Sequence, residues 1–168
     1  MIIDAHTHVY PEKIVTKAIQ KLEHNSHIRA KSDGTTEGLL ASMKEAGIDY
    51  SLLLPVATSA KQVSGINALA AQTNASGRET GLFSFGGMHP DMKDYQQELR
   101  RIKDAGIRGI KLHPDYQGTF FNDIRYKRIV DAATEFSLYI VVHSGVDIGL
   151  PDPVHCPPSA VLDVIPHA

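Results

Sequence analysis

The chain has one cysteine, no surplus of basic charge and no long apolar run, and each shortage removes a class of function. A single Cys156 cannot close an internal disulfide, so a small disulfide-stapled secreted scaffold is excluded. Lys+Arg 17 against Asp+Glu 19 gives a net charge of −2, which leaves no cationic surplus to neutralise a phosphate backbone or an anionic membrane. No stretch approaches the ~18 consecutive apolar residues of a membrane span. The opening Met1-Ile2-Ile3-Asp4 lacks the cationic and apolar regions of a signal peptide, so a cytoplasmic protein is expected. Linkers, low-complexity tracts and charge blocks are also missing, and the 168 residues read as one domain. What the sequence has in excess is histidine, nine in all.

Apolar runs and helical stripes alternate along the chain. Strands are predicted at 2–5, 51–56, 82–85, 107–112 and 138–142. Between them, helical spacing marks Ile14 to Leu22, Leu39 to Met43 with Gly47 as a C-cap, Ile66 to Ala71, Tyr95 to Ile102 and Ile129 to Phe136. A further short helix is expected after Pro158. Lys44–Pro55 aligns without gaps on Lys103–Pro114, a helix end feeding a strand in both copies. Five such βα units imply a parallel sheet with helical crossovers. The apolar run of the fifth strand suits burial on both faces.

Five histidines fall at or just past predicted strand ends: His6 and His8 after the first, His89 after the third, His113 after the fourth and His143 after the fifth. In parallel α/β proteins the C-terminal strand ends share one face, where active sites are built. Asp4, His6 and His8 share one parity along their strand, and two same-side imidazoles can bind one metal ion. Asp4 can orient a ligand imidazole or bond nearby backbone. In the fourth strand Lys111 and His113 share the face opposite Ile110 and Leu112, so the polar pair should line the interior. Lys111 can serve the site or extend its amine to the rim, and His113 is expected to contact substrate or a ligand. His89 can contact substrate or simply make a turn. His24, His27, His155 and His167 read as solvated, Cys156 as an idle thiol, residues 115–121 as a lid, and Asp147 and Asp152 as turn residues.

Ile3-Asp4-Ala5-His6-Thr7-His8, Gly109-Ile110-Lys111-Leu112-His113-Pro114 and Val141-Val142-His143-Ser144-Gly145, in that order, resemble the amidohydrolase superfamily. The closest branch holds metal-dependent hydrolases and aminocarboxymuconate semialdehyde decarboxylase-like enzymes. The resemblance implies a TIM-barrel-type (β/α)8 fold, here truncated to about five βα units. On this reading residues 1–168 are the N-terminal portion of one barrel domain, since such barrels typically need about 250 residues. It implies a divalent metal, usually zinc, held by His6, His8 and His143, with His113 and Lys111 as the catalytic candidates. The family's sixth-strand histidine and eighth-strand aspartate have no counterpart here. The lysine that is carbamylated in many superfamily members finds its nearest match in Lys111, although this branch generally uses one metal.

The implied activity is metal-dependent hydrolysis of a C–N or C–O bond in a small molecule. The alternatives are nonoxidative decarboxylation in the same architecture and a metal-binding fragment that is catalytically incomplete. An open part-barrel exposes two strand edges, which a second copy in a homo-oligomer could cover.

Overall fold

The computed structural model describes residues 1–167. Its elements run β1 (Ile3–Thr7), α1 (Glu12–Ser26), α2 (Thr36–Ala46), β2 (Tyr50–Leu53), a 3-10 turn (Ala60–Gln62), α3 (Val63–Ala75), α4 (Gly77–Thr80), β3 (Leu82–Ser84), β4 (Gly86–Gly87), α5 (Tyr95–Asp104), β5 (Gly109–Leu112), α6 (Pro114–Gln117), α7 (Ile124–Glu135), β6 (Tyr139–Val142) and α8 (Pro158–Val164). All four strand pairings are parallel, in the orders β1-β2-β3 and β4-β5-β6. The third predicted strand is broken in two at Phe85, whose N–H still donates to the Leu53 carbonyl at 3.0 Å. Five staves therefore stand side by side, as the alternating pattern requires.

The internal repeat has a common local cause. Gly47 and Gly106 take left-handed φ values of 68° and 74°. That conformation lets the N–H groups of Ile48 and Ile107 close back on the carbonyls of Met43 and Ile102, at 2.9 and 3.1 Å. This is the Schellman arrangement, which ends a helix and turns the chain into the next strand. Starts are capped as well. Thr35 accepts the Gly38 N–H at 2.9 Å, and Asp123 accepts that of Arg125 at 2.8 Å, each worth about 1 kcal/mol.

The strand parity predicted for β5 holds. Ile110 and Leu112 join a buried cluster with Leu99 and Ile102 of α5 and Ile129, Val130 and Ala133 of α7, while Lys111 faces the other way. That cluster contains no residue before Ala57, and α1 buries none of its side chains. The expected two-sided burial of the last strand is not found. Tyr139 is 71% exposed and Ile140, Val141 and Val142 are half-buried, because among the described residues β6 pairs only with β5 and its outer edge is uncovered. β1 likewise pairs only with β2. No helix among the described residues is long and apolar enough to cross a membrane.

Candidate metal centre

β1 delivers His6 from its own length and His8 just past its end, with the two Nε2 atoms 3.1 Å apart. Two lone-pair nitrogens at that distance must share a proton or a cation. Burial, followed by the charge of His6 and Lys111, lowers the His8 pKa to about 4, so the ring is neutral near pH 7. His6, more exposed, is lowered by its partial burial and by Lys111 and His143. Asp4 does not reach either ring. Its carboxylate accepts the His6 backbone N–H at 3.1 Å, the second of the two roles open to it.

β5 brings Lys111 and His113 to the same face. Lys111 is 1% exposed and its Nζ has no hydrogen-bond partner among the described residues, so the amine does not extend to the rim. Burial lowers its pKa to about 8. The His113 ring lies parallel to that of His143 at 4.1 Å, with Tyr116 edge-on at 4.4 Å. Its Nδ1 accepts the Tyr116 N–H at 3.4 Å, which assigns the ring proton to Nε2. Burial first, then His143 and Lys111, lowers its pKa to about 3. His143 follows β6, where its N–H donates to the Leu112 carbonyl at 3.0 Å and its buried Nε2 has no hydrogen-bond partner among the described residues.

His113, His143 and Asp147 offer three ligand atoms within 4.8 Å of one another. Asp147 Oδ2 lies 3.5 Å from His113 Nε2 and 3.9 Å from His143 Nε2. The turn role expected of Asp147 is real but partial: Oδ1 accepts the Gly149 N–H at 2.8 Å, and Oδ2 is left free to face the imidazoles. Both oxygens of one carboxylate are thus in use. The spacing of four from His143 is the one signal in the sequence that could have marked it.

His6, His8, Lys111, His113 and His143 are close enough for their charges to act on one another. The donor set suits a divalent ion. Two donors each about 2.0–2.1 Å from a tetrahedral ion lie roughly 3.3 Å apart, near the His6–His8 separation of 3.1 Å. Neutral imidazoles and an orphaned Nε2 are the ligating forms.

Other sequence expectations change. His89 is buried and its Nδ1 accepts the Asp91 N–H at 3.1 Å, the turn role. His155 is not solvated: its N–H and Nδ1 meet Asp115 Oδ1 at 3.0 and 3.2 Å, because the loop after β6 folds back onto α6. His167 pairs with Asp131 at 2.9 Å. The segment expected as a lid is instead anchored, with α6 at its start and Gln117, Thr119 and Phe121 buried. Cys156 is fully buried, which raises its pKa to about 11. The cavity of about 440 Å³ lined by Leu52, Asn74, Phe83, Phe85 and Arg108 lies beside the chain entering β5, away from these histidines.

The fold is similar to 5-carboxyvanillate decarboxylase from Sphingomonas paucimobilis, with a TM-score of 0.63 and 18% identity over 86% of this chain and 52% of that one. It is similar to the enzyme of that name from Novosphingobium aromaticivorans, solved with manganese and a nitrobenzoic acid, at TM-score 0.65 and 14% identity over 88% and 51%. It is also similar to 2,6-dihydroxybenzoate decarboxylase from Rhizobium, at 0.59 and 13% over 87% and 50%. The chain therefore spans about half the length of these structures. No curated protein sequence matches. The amidohydrolase family profile matches residues 3–167, and the chain belongs to the amidohydrolase family.

Proposed function

We propose that this chain carries the metal-binding face of a metal-dependent enzyme that removes CO2 from a small carboxylated substrate without oxidation. The observation that carries the reading is Lys111, an ammonium 1% exposed with no hydrogen-bond partner among the described residues, set among His6, His8 and His113. A buried cation without a counter-ion is costly unless a ligand supplies the missing charge. An anionic substrate does so, and a fixed cation stabilises the negative charge left on the substrate as CO2 departs.

His6 and His8, with Nε2 atoms 3.1 Å apart, and His143, which clusters with Asp147, would hold the ion, and a nitrogen-rich set of this kind suits zinc. The ion would supply Lewis-acid polarisation of a substrate oxygen. The His113–Asp147 pair, Nε2 to Oδ2 at 3.5 Å, is the proton-handling element. As the C–CO2 bond breaks, its electron pair stays on carbon, a proton that the His113–Asp147 pair has taken up from solvent passes to that carbon, and CO2 leaves with no water consumed, which returns His113 and Asp147 to their starting state. The structural neighbours named as decarboxylases support this choice.

Hydrolysis is the second reading, favoured by the same carboxylate–imidazole pair, which could instead take a proton from an attacking water. We place the protein in the cytoplasm, with no nucleic acid partner at its net charge of −2.

The test is a panel of aromatic and aliphatic carboxylates, amides and esters offered to the zinc- and manganese-loaded protein. CO2 release without net addition of water is expected. Water addition without CO2 would replace the proposal with hydrolysis, and a bound ion with no turnover across the panel would leave a metal-binding fragment.

A further inference from the structure

Gln117 is the last residue of α6, 9% exposed, and its side chain has no free hydrogen-bonding position. Its Nε2 donates to the carbonyls of Ala57 at 2.8 Å and Met88 at 2.6 Å. Its Oε1 accepts the His113 N–H at 3.3 Å and the hydroxyl of Tyr126 on α7. A primary amide has two N–H groups and two lone pairs, and all four are used. The Gln117 N–H returns to the His113 carbonyl at 3.0 Å, so the two residues are joined reciprocally across one helical turn.

The partners are spread over three staves. Ala57 lies in the segment leaving β2, where the Leu54 carbonyl bears on the His8 ring. Met88 lies just past β4, and His113 just past β5. Ala57 and Met88 are both 0% exposed, so no water can replace the amide at their carbonyls without a rearrangement of the rim.

We infer that Gln117 is a positioning residue that sets the His113 ring against His143 and Asp147 by clasping the chain segments that leave β2, β4 and β5. This rests on the reading that His143 and Asp147, the two groups the His113 ring is packed against, face a divalent ion. A side chain that only stabilised the fold would affect metal binding no more than a core residue does. One that fixes ligand geometry changes metal affinity and coordination directly, typically by ~10–100-fold in affinity.

The probe is Co(II) alone, titrated into the metal-stripped full chain. Affinity is read by chelator competition, and geometry by the visible d–d band, at a temperature where circular dichroism shows every variant folded. Wild type is compared with Gln117→Leu, with Gln117→Glu, which keeps the acceptor but loses both donors, and with Leu99→Ala, a fully buried core change on α5. Both Gln117 variants should bind Co(II) ~10–100-fold more weakly with a moved band, while Leu99→Ala matches wild type in both. If Gln117→Leu does not fold, Gln117→Glu and Gln117→Asn carry the same comparison. Wild-type affinity and band in the Gln117 variants, or equal losses in Leu99→Ala, would overturn the inference. A wild-type chain that binds no Co(II) would overturn it together with the metal reading, whereas a binding wild type with unaffected variants overturns it alone.

Discussion

Replacing Lys111 with Met should make the metal-free protein more stable near neutral pH, and the gain should disappear in alkali. The ammonium is 1% exposed without a hydrogen-bond partner, and burial lowers its pKa from 10.5 to about 8. At 1.36 kcal/mol per unit, that displacement disfavours the charged folded state by roughly 3 kcal/mol. The direction follows from linkage. Between pH 8 and 10.5 the unfolded chain binds the proton that the folded chain releases, so wild-type stability rises with pH across that window. Below pH 8 both states are protonated and the whole penalty is present. Methionine matches the aliphatic stem and removes the charge. For a chain of this size ~1 kcal/mol moves Tm by about 2–4 °C, so Lys111→Met should melt roughly 6–12 °C higher at pH 7. Differential scanning calorimetry in chelator at pH 7, 9 and 10.5 measures the gap, and the variant cancels the contribution of other titrating groups. Equal melting at pH 7, or a gap that does not shrink by pH 10.5, would refute the argument that this buried cation is uncompensated.

Loss of bound zinc is expected in His6→Ala and in His143→Ala, measured by metal analysis after dialysis. Unchanged stoichiometry in both would remove them as ligands. Cys156, fully buried with its pKa raised to about 11, should resist a thiol reagent at pH 8 in the native protein and react at once in denaturant. Rapid native labelling would contradict that burial. Gly81→Ala should cost about 2 kcal/mol or more in urea unfolding, since Gly81 holds φ +77° and a Cβ there would meet the Asp49 carbonyl at 2.5 Å. A loss under about 0.5 kcal/mol would be no more than an ordinary surface change.

The strand and helix pattern was legible because burial imposes periodicity. Ile110 and Leu112 had to face α5 and α7, so Lys111 had to face away from them, and the structure agrees. The pairing of His6 with His8, and the stacking of His113 on His143, were legible for a related reason, since parallel strands put their C-terminal ends on one face. Asp147 was not legible in its second role. An aspartate two residues before a glycine reads as a turn, and nothing local to 145–149 shows that its other oxygen will meet His113, 34 residues earlier. His155 escaped for the same reason, because its partner Asp115 is 40 residues away. Side-chain contacts between loops depend on how the loops return to the rim, which no short-range period encodes. Residues 115–121 show the opposite error. Mixed aromatic and polar composition suggested mobility, but Gln117 and Phe121 are buried and bonded to the frame.

The core's lopsidedness also sets an order of opening. Residues from Ala57 onward share the large buried cluster, whereas β1 and α1 contribute nothing to it. Amide hydrogens in β1 and α1 should therefore exchange through small local fluctuations, and those of β5 and α7 only through global unfolding. His6 and His8 ride on the loosely held part and His143 follows β6, next to the firmly held part. An ion bridging them would act as a fastener between the two, adding about 2.7 kcal/mol to the opening of β1 at a free concentration of ~100 times Kd. Slowed exchange in the first stave would then report occupancy of the site even when no substrate is known.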